Sequence, residues 1–108
     1  MRVLIAEYVL STYHQNNSMI KLMPEALAMV MSLTKSLMIS GAYVGITVSS
    51  LVDFPLYSLL PADSNIIKVN PRNYLSEIER TSKNFDYVII IAPPRELVEI
   101  ANLIDDNK

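Results

Sequence analysis

The chain has 108 residues, 51% hydrophobic and 19% charged, with two Gly, one His and no Cys. Zero cysteines exclude a disulfide scaffold, a thiolate metal site and a cysteine nucleophile. Nine Lys and Arg against eleven Asp and Glu leave a net charge of −2, without the clustered basic footprint of a nucleic-acid binder.

Val3-Leu4-Ile5-Ala6 is a short apolar run, as expected of a strand covered on both faces. Residues 9–23 then form a long polar connection. Residues 24–40 read as a helix, with Pro24 in its first turn and Gly41 just past its end. Its polar residues Glu25, Ser32, Lys35, Ser36 and Ser40 make one narrow stripe, so such a helix is expected to be covered on more than one side. Residues 42–49 and 66–69 read as two further strands. Between them, residues 50–64 carry Leu51, Val52, Phe54, Leu56, Tyr57, Leu59 and Leu60, too much apolar area for a solvated loop. Asn70-Pro71 is an N-cap followed by proline at the first helical position. Tyr74, Leu75 and Ile78 give that helix its buried side, while Glu79 and Lys83 stand one turn apart on the wet side. Residues 85–92 are a strand rich in β-branched residues, stopped by Pro93-Pro94, and residues 94–105 a last helix with Leu97, Ile100, Ala101 and Ile104 inward.

This β-α-β-β-α-β-α order predicts an α/β fold: a three-layer, Rossmann-like half with a four-stranded, mostly parallel sheet of order 3-2-1-4. The whole chain, 1–108, reads as one domain, and its most apolar strands are expected centrally. The longest apolar segment, residues 22–39, is interrupted by Pro24, Glu25, Ser32, Lys35 and Ser36, short of the roughly 18–20 uninterrupted apolar residues that span a bilayer. The first run ends at Glu7 without a small-residue cleavage site. A cytoplasmic location is expected, with neither membrane nor nucleic acid as a partner.

In open α/β sheets, ligands sit past the carboxyl ends of the strands where the strand order reverses. Here that point falls between the first and last strands. It gathers Glu7, Tyr8, Ser11 and Thr12 on one side and Ala92, Pro93, Pro94 and Arg95 on the other, with free N–H groups at the last helix that favour an anion. The same residues equally well end a strand and turn a loop. His14 has no second His or Cys to complete a metal site. A phosphoacceptor domain needs an acidic pair after its first strand and an Asp ending its third; only Glu7 occupies the first place, Asn70 follows the third strand, and Asp53 stands alone after the second. Ser11, Thr12 and Ser18 lack the glycines of a flavin-phosphate loop. Met19, Met23, Met29, Met31 and Met38 cluster on or near the first helix and read as adaptable core filling.

Arg2-Val-Leu-Ile-Ala-Glu7-Tyr8, a long polar loop and Pro24-Glu25-Ala-Leu-Ala28-Met29-Val30 together resemble the opening of archaeal ligases of the ATP-grasp superfamily, the tyramine–glutamate ligase type in particular. Glu7, Tyr8, Glu25, Ala28 and Met29 match the family pattern, and Ala92-Pro93 is similar to its Ile-Ala-Pro-Glu turn. The family's Gly-rich loop is replaced by residues 11–17, its helix glycine by Ala26, and its turn glutamate by Pro94.

The resemblance implies a pre-ATP-grasp domain, the substrate-side unit of a carboxylate–amine ligase, with Glu7, Tyr8, Ser11, Thr12, Glu25, Ala92 and Pro93 as candidate substrate contacts and no catalytic or metal residue. ATP and magnesium would bind to ATP-grasp lobes, in the same longer chain or in a separate subunit, and the chain alone would bind no cofactor and have no ligase activity. Two other readings stand beside it. One is a stand-alone non-catalytic module for a small anionic ligand or a protein; the other is an interaction domain, a homodimer included, that uses the apolar first helix or residues 50–64.

Overall fold

The computed structural model describes the chain except residues 14–16, 53–57, 62 and 106–108, with backbone alone at 17–20, 103 and 105. β1 (Arg2–Glu7), β2 (Tyr43–Ser49), β3 (Asn65–Val69) and β4 (Tyr87–Ile91) form one sheet of order β3-β2-β1-β4. All three pairings are parallel, with Ile5 beside Ile46 on one side and Ile89 on the other. The expected fold class and strand order are what the chain adopts.

Successive residues of a strand point to opposite faces, and β1 shows this directly. Ile5 enters one core with Leu10, Met23, Leu27, Val30, Val44, Ile46 and Val48. Ala6 enters the other with Ile78, Ile100 and Ile104. Helices α1 (Tyr8–Thr12) and α2 (Asn17–Ile39) therefore cover one face, and α3 (Tyr74–Ser82) and α4 (Pro94–Asp105) the other.

Five sequence expectations need correction. The connection over residues 9–23 is largely helical, holding α1 and the first turns of α2, so Pro24 lies inside a 23-residue helix instead of opening one. Helix α2 is buried on one side only. Met23, Ala26, Leu27, Val30 and Thr34 face the sheet, whereas Leu22 is 50%, Met29 40% and Ile39 88% exposed. Its segment Lys21–Ile39 is long and apolar enough, by length and composition, to cross a membrane, although Met23, Leu27 and Val30 carry it into the core. Third, β4 is an edge strand, half-buried at Val88 through Ile91. Fourth, the ion pair on α3 joins Arg80 to Glu77 at 3.2 Å, one turn apart, instead of Glu79 to Lys83. Leu97, expected inward, is 37% exposed.

Other expectations hold in detail. Asn70 caps its helix, its side chain accepting from the Arg72 N–H at 3.0 Å before a 3-10 turn, Pro71–Asn73, leads into α3. Val52 and Leu60 from the 50–64 segment are buried, Leu51 and Leu59 are exposed, and Phe54, Leu56 and Tyr57 lie outside the described residues. Met23 is buried and Met31 and Met38 pack against the core, as core filling requires, while Met29 does not.

The amino-terminal end of the sheet is closed by a polar latch. Asp86 accepts from the Arg2 backbone N–H at 2.8 Å, and the Arg2 guanidinium donates to the Asn84 carbonyl at 2.8 Å. That guanidinium lies 4.4 Å from the Tyr43 ring centre and 5.2 Å from that of Phe85. Phe85 reaches this position only because residue 45 has no side chain: a Cβ there would stand 2.5 Å from the ring. We expect Gly45→Ala to cost about 1–3 kcal/mol by overpacking, read as a lower urea midpoint. Phe85→Leu in the same chain should recover part of that loss, giving a non-additive double-mutant cycle.

Candidate functional site

Beyond the carboxyl ends of the strands lies a groove of about 380 Å³ walled by Tyr8, Val9, Thr12, Leu22, Pro71, Tyr74 and Pro93, a volume within the usual range for small-molecule sites. Its walls come from both helical layers. Tyr8, Val9 and Thr12 belong to α1 and Leu22 to α2, while Pro71 and Tyr74 follow β3, and Pro93 follows β4. Tyr8 and Tyr74 meet edge to face across it, ring centres 5.7 Å apart, the geometry the aromatic quadrupole favours.

The α1 wall is held by buried polar contacts. Glu7 ends β1 with 4% exposure, and its carboxylate accepts from the Leu10 N–H at 2.7 Å, capping a helix whose first donors would otherwise be orphaned. Burial pushes the Glu7 carboxyl above its ordinary value, and the N–H groups of Leu10 and Val9 only partly offset this. Ser11 is fully buried, its hydroxyl 2.7 Å from that of Thr47. The Thr12 hydroxyl donates to the Tyr8 carbonyl at 2.6 Å, and the Ser49 hydroxyl to the Tyr13 carbonyl at 2.6 Å. Each bond ties the α1 segment to β2 or to itself.

Of the residues singled out from sequence, Tyr8, Thr12 and Pro93 line the groove. Glu7 and Ser11 lie beneath it as supports, and Ala92 is half-buried against the α3–α4 core. Glu25 stands exposed on α2 and is absent from the lining. His14 and Asp53 lie outside the described residues. Val9, Leu22, Pro71 and Tyr74 were not anticipated. Tyr74 reads from periodicity as core, and a half-buried wall gives the same pattern as a core position.

The described lining carries no Lys or Arg. Burial, then the neighbouring Tyr8, Glu99 and Glu96, push the Tyr74 phenol above its ordinary value. The groove is an apolar, aromatic slot. Among the described residues no three His, Cys, Asp or Glu side chains come together to hold a metal ion. A second hollow of about 240 Å³, formed by Asn73, Ser76, Glu77 and Arg80, is the outer surface of α3 and its first turn, with the Arg80–Glu77 pair across it.

The raised Glu7 value fixes a sign. A native carboxyl titrating above its unfolded value favours the fold while protonated. That contribution is full below the unfolded value and lost as pH rises through the native one. Glu7→Gln, which keeps an acceptor for Leu10 without the charge, should remove this pH dependence from urea unfolding. Glu7→Ala should cost about 1–2 kcal/mol at low pH through the lost cap, and less as pH rises through the native value.

No family model, curated protein or solved structure matches the chain.

Proposed function

We propose that this chain is the substrate-side domain that precedes the ATP-binding lobes of a carboxylate–amine ligase, shaping one substrate's site and performing no chemical step alone. The observation that carries the reading is the Tyr8–Tyr74 groove at the point where the strand order reverses, combined with the family-like Glu7-Tyr8 and Glu25-Ala28-Met29 segments. An apolar or aromatic portion of the acid or the amine would lie against the paired tyrosines, leaving its reacting group directed outward to lobes that hold ATP and magnesium. Those lobes would belong to the same longer chain or to a separate cytoplasmic subunit.

The nucleotide sequence downstream of the Lys108 codon tests this first. The reading expects either a continuing frame of roughly 150–200 residues, a domain-sized length, or an adjacent gene for the lobes; a stop codon without such a gene defeats it. In the assembled enzyme, Tyr74→Ala should raise KM for one of the two joined substrates roughly fivefold, the equivalent of about 1 kcal/mol of aromatic contact. KM for ATP should not change. An equal effect on ATP would place the groove in the wrong role.

A further inference from the structure

The two edges of the sheet are treated differently. Edge β3 is guarded by charge: it carries Lys68, whose ammonium donates to the Val52 carbonyl at 2.9 Å. Charge is a usual defence of an edge. Edge β4 has none. Its sequence, Tyr87-Val88-Ile89-Ile90-Ile91, contains no charge and no proline, and among the described residues β1 is its one strand partner. Among the described residues no backbone hydrogen bond reaches its outer side.

The side chains of β4 are also incompletely covered. Val88 and Ile90 pack against the core formed by Ala6, Ile78, Ile100 and Ile104. Tyr87, Ile89 and Ile91 alternate onto the α1–α2 side and join neither core. Tyr87 is 60% exposed, and on α4 above the same edge Leu97 is 37% and Val98 59% exposed. An open, uncharged and apolar edge is a template for another strand.

We infer that β4 pairs antiparallel with β4 of a second copy across a two-fold axis at Ile89, joining two sheets into one of eight strands. The strand suits this pairing. Ile89 meets its own counterpart, Val88 meets Ile90 and Tyr87 meets Ile91, so only apolar side chains face one another and no like charges meet within the ladder. A five-residue strand pair is about 17 Å long and falls short of the roughly 800 Å² per partner of a stable interface. Leu97 and Val98 supply the remaining apolar contact, each α4 lying beside its symmetry mate. The pairing is independent of what the groove binds.

The absence of cysteine permits a direct test. Facing residues of an antiparallel pair have Cα atoms about 4.5–5.5 Å apart, within the range a disulfide spans. Under mild oxidation Ile89→Cys should cross-link several-fold more than Asn65→Cys on the opposite edge, and the parent chain should sediment as a dimer. Amides of residues 87–91 in the parent chain should exchange more slowly as the dimer forms, a readout that stands even if the Ile89 variant fails to fold. A strictly monomeric parent chain, equal cross-linking at 65 and 89, or protection of 87–91 only when a different polypeptide binds would each overturn the inference.

Discussion

The double pairing of β1 is the constraint from which the rest follows. Val3, Leu4, Ile5 and Ala6 are 0–2% exposed, closed in by β2 and β4 along both edges and by helices over both faces. Each fully buried Leu or Ile stabilises by about 1.5–3 kcal/mol, so this short run has no rival position in the molecule. Once β1 is central, right-handed crossovers send the chain one way to β2 and β3 and back the other way to β4. The reversal leaves a gap past the carboxyl ends of two neighbouring strands. The groove is a by-product of how the core is laid down.

What gives that gap definite walls is a small set of buried polar contacts. Ser11 with Thr47 and Ser49 with the Tyr13 carbonyl tie a five-residue helix, too short to be stable alone, to β2, and Glu7, at the end of β1, caps it through the Leu10 N–H. Polar groups buried and paired in this way add little net stability but fix one geometry. Tyr8 and Thr12 hold their positions in the groove because Glu7 and Ser11 lie buried beneath them.

The parallel sheet was legible because its strands are near-continuous apolar runs, the mark of burial on both faces. The last helix was legible to its ends, Pro94 and Asp105, because proline and the periodicity of Ile100 and Ile104 coincide. Burial within the sheet was less so: β4 is as apolar as a central strand, yet it lies half-buried at an edge. Pro24 misled for a definable reason. Proline in a helix interior costs roughly 3 kcal/mol, so it reads as a start; burial of Met23, Ala26 and Leu27 on both sides of it outweighs that cost. The groove was half visible, since the strand ends can be placed from sequence, whereas Leu22 and Tyr74 enter through the packing of separate helices.

Pro24 has one more effect. Lacking an N–H, it leaves the Ile20 carbonyl without its helical donor and weakens α2 between the turn that bears Leu22 and the long stretch anchored by Leu27 and Val30. Leu22 is a wall of the groove. Leu22 keeps its place in that wall because Met23, the residue after it, is buried in the core on the other side of Pro24 from Leu27, so packing holds the turn where the missing hydrogen bond does not.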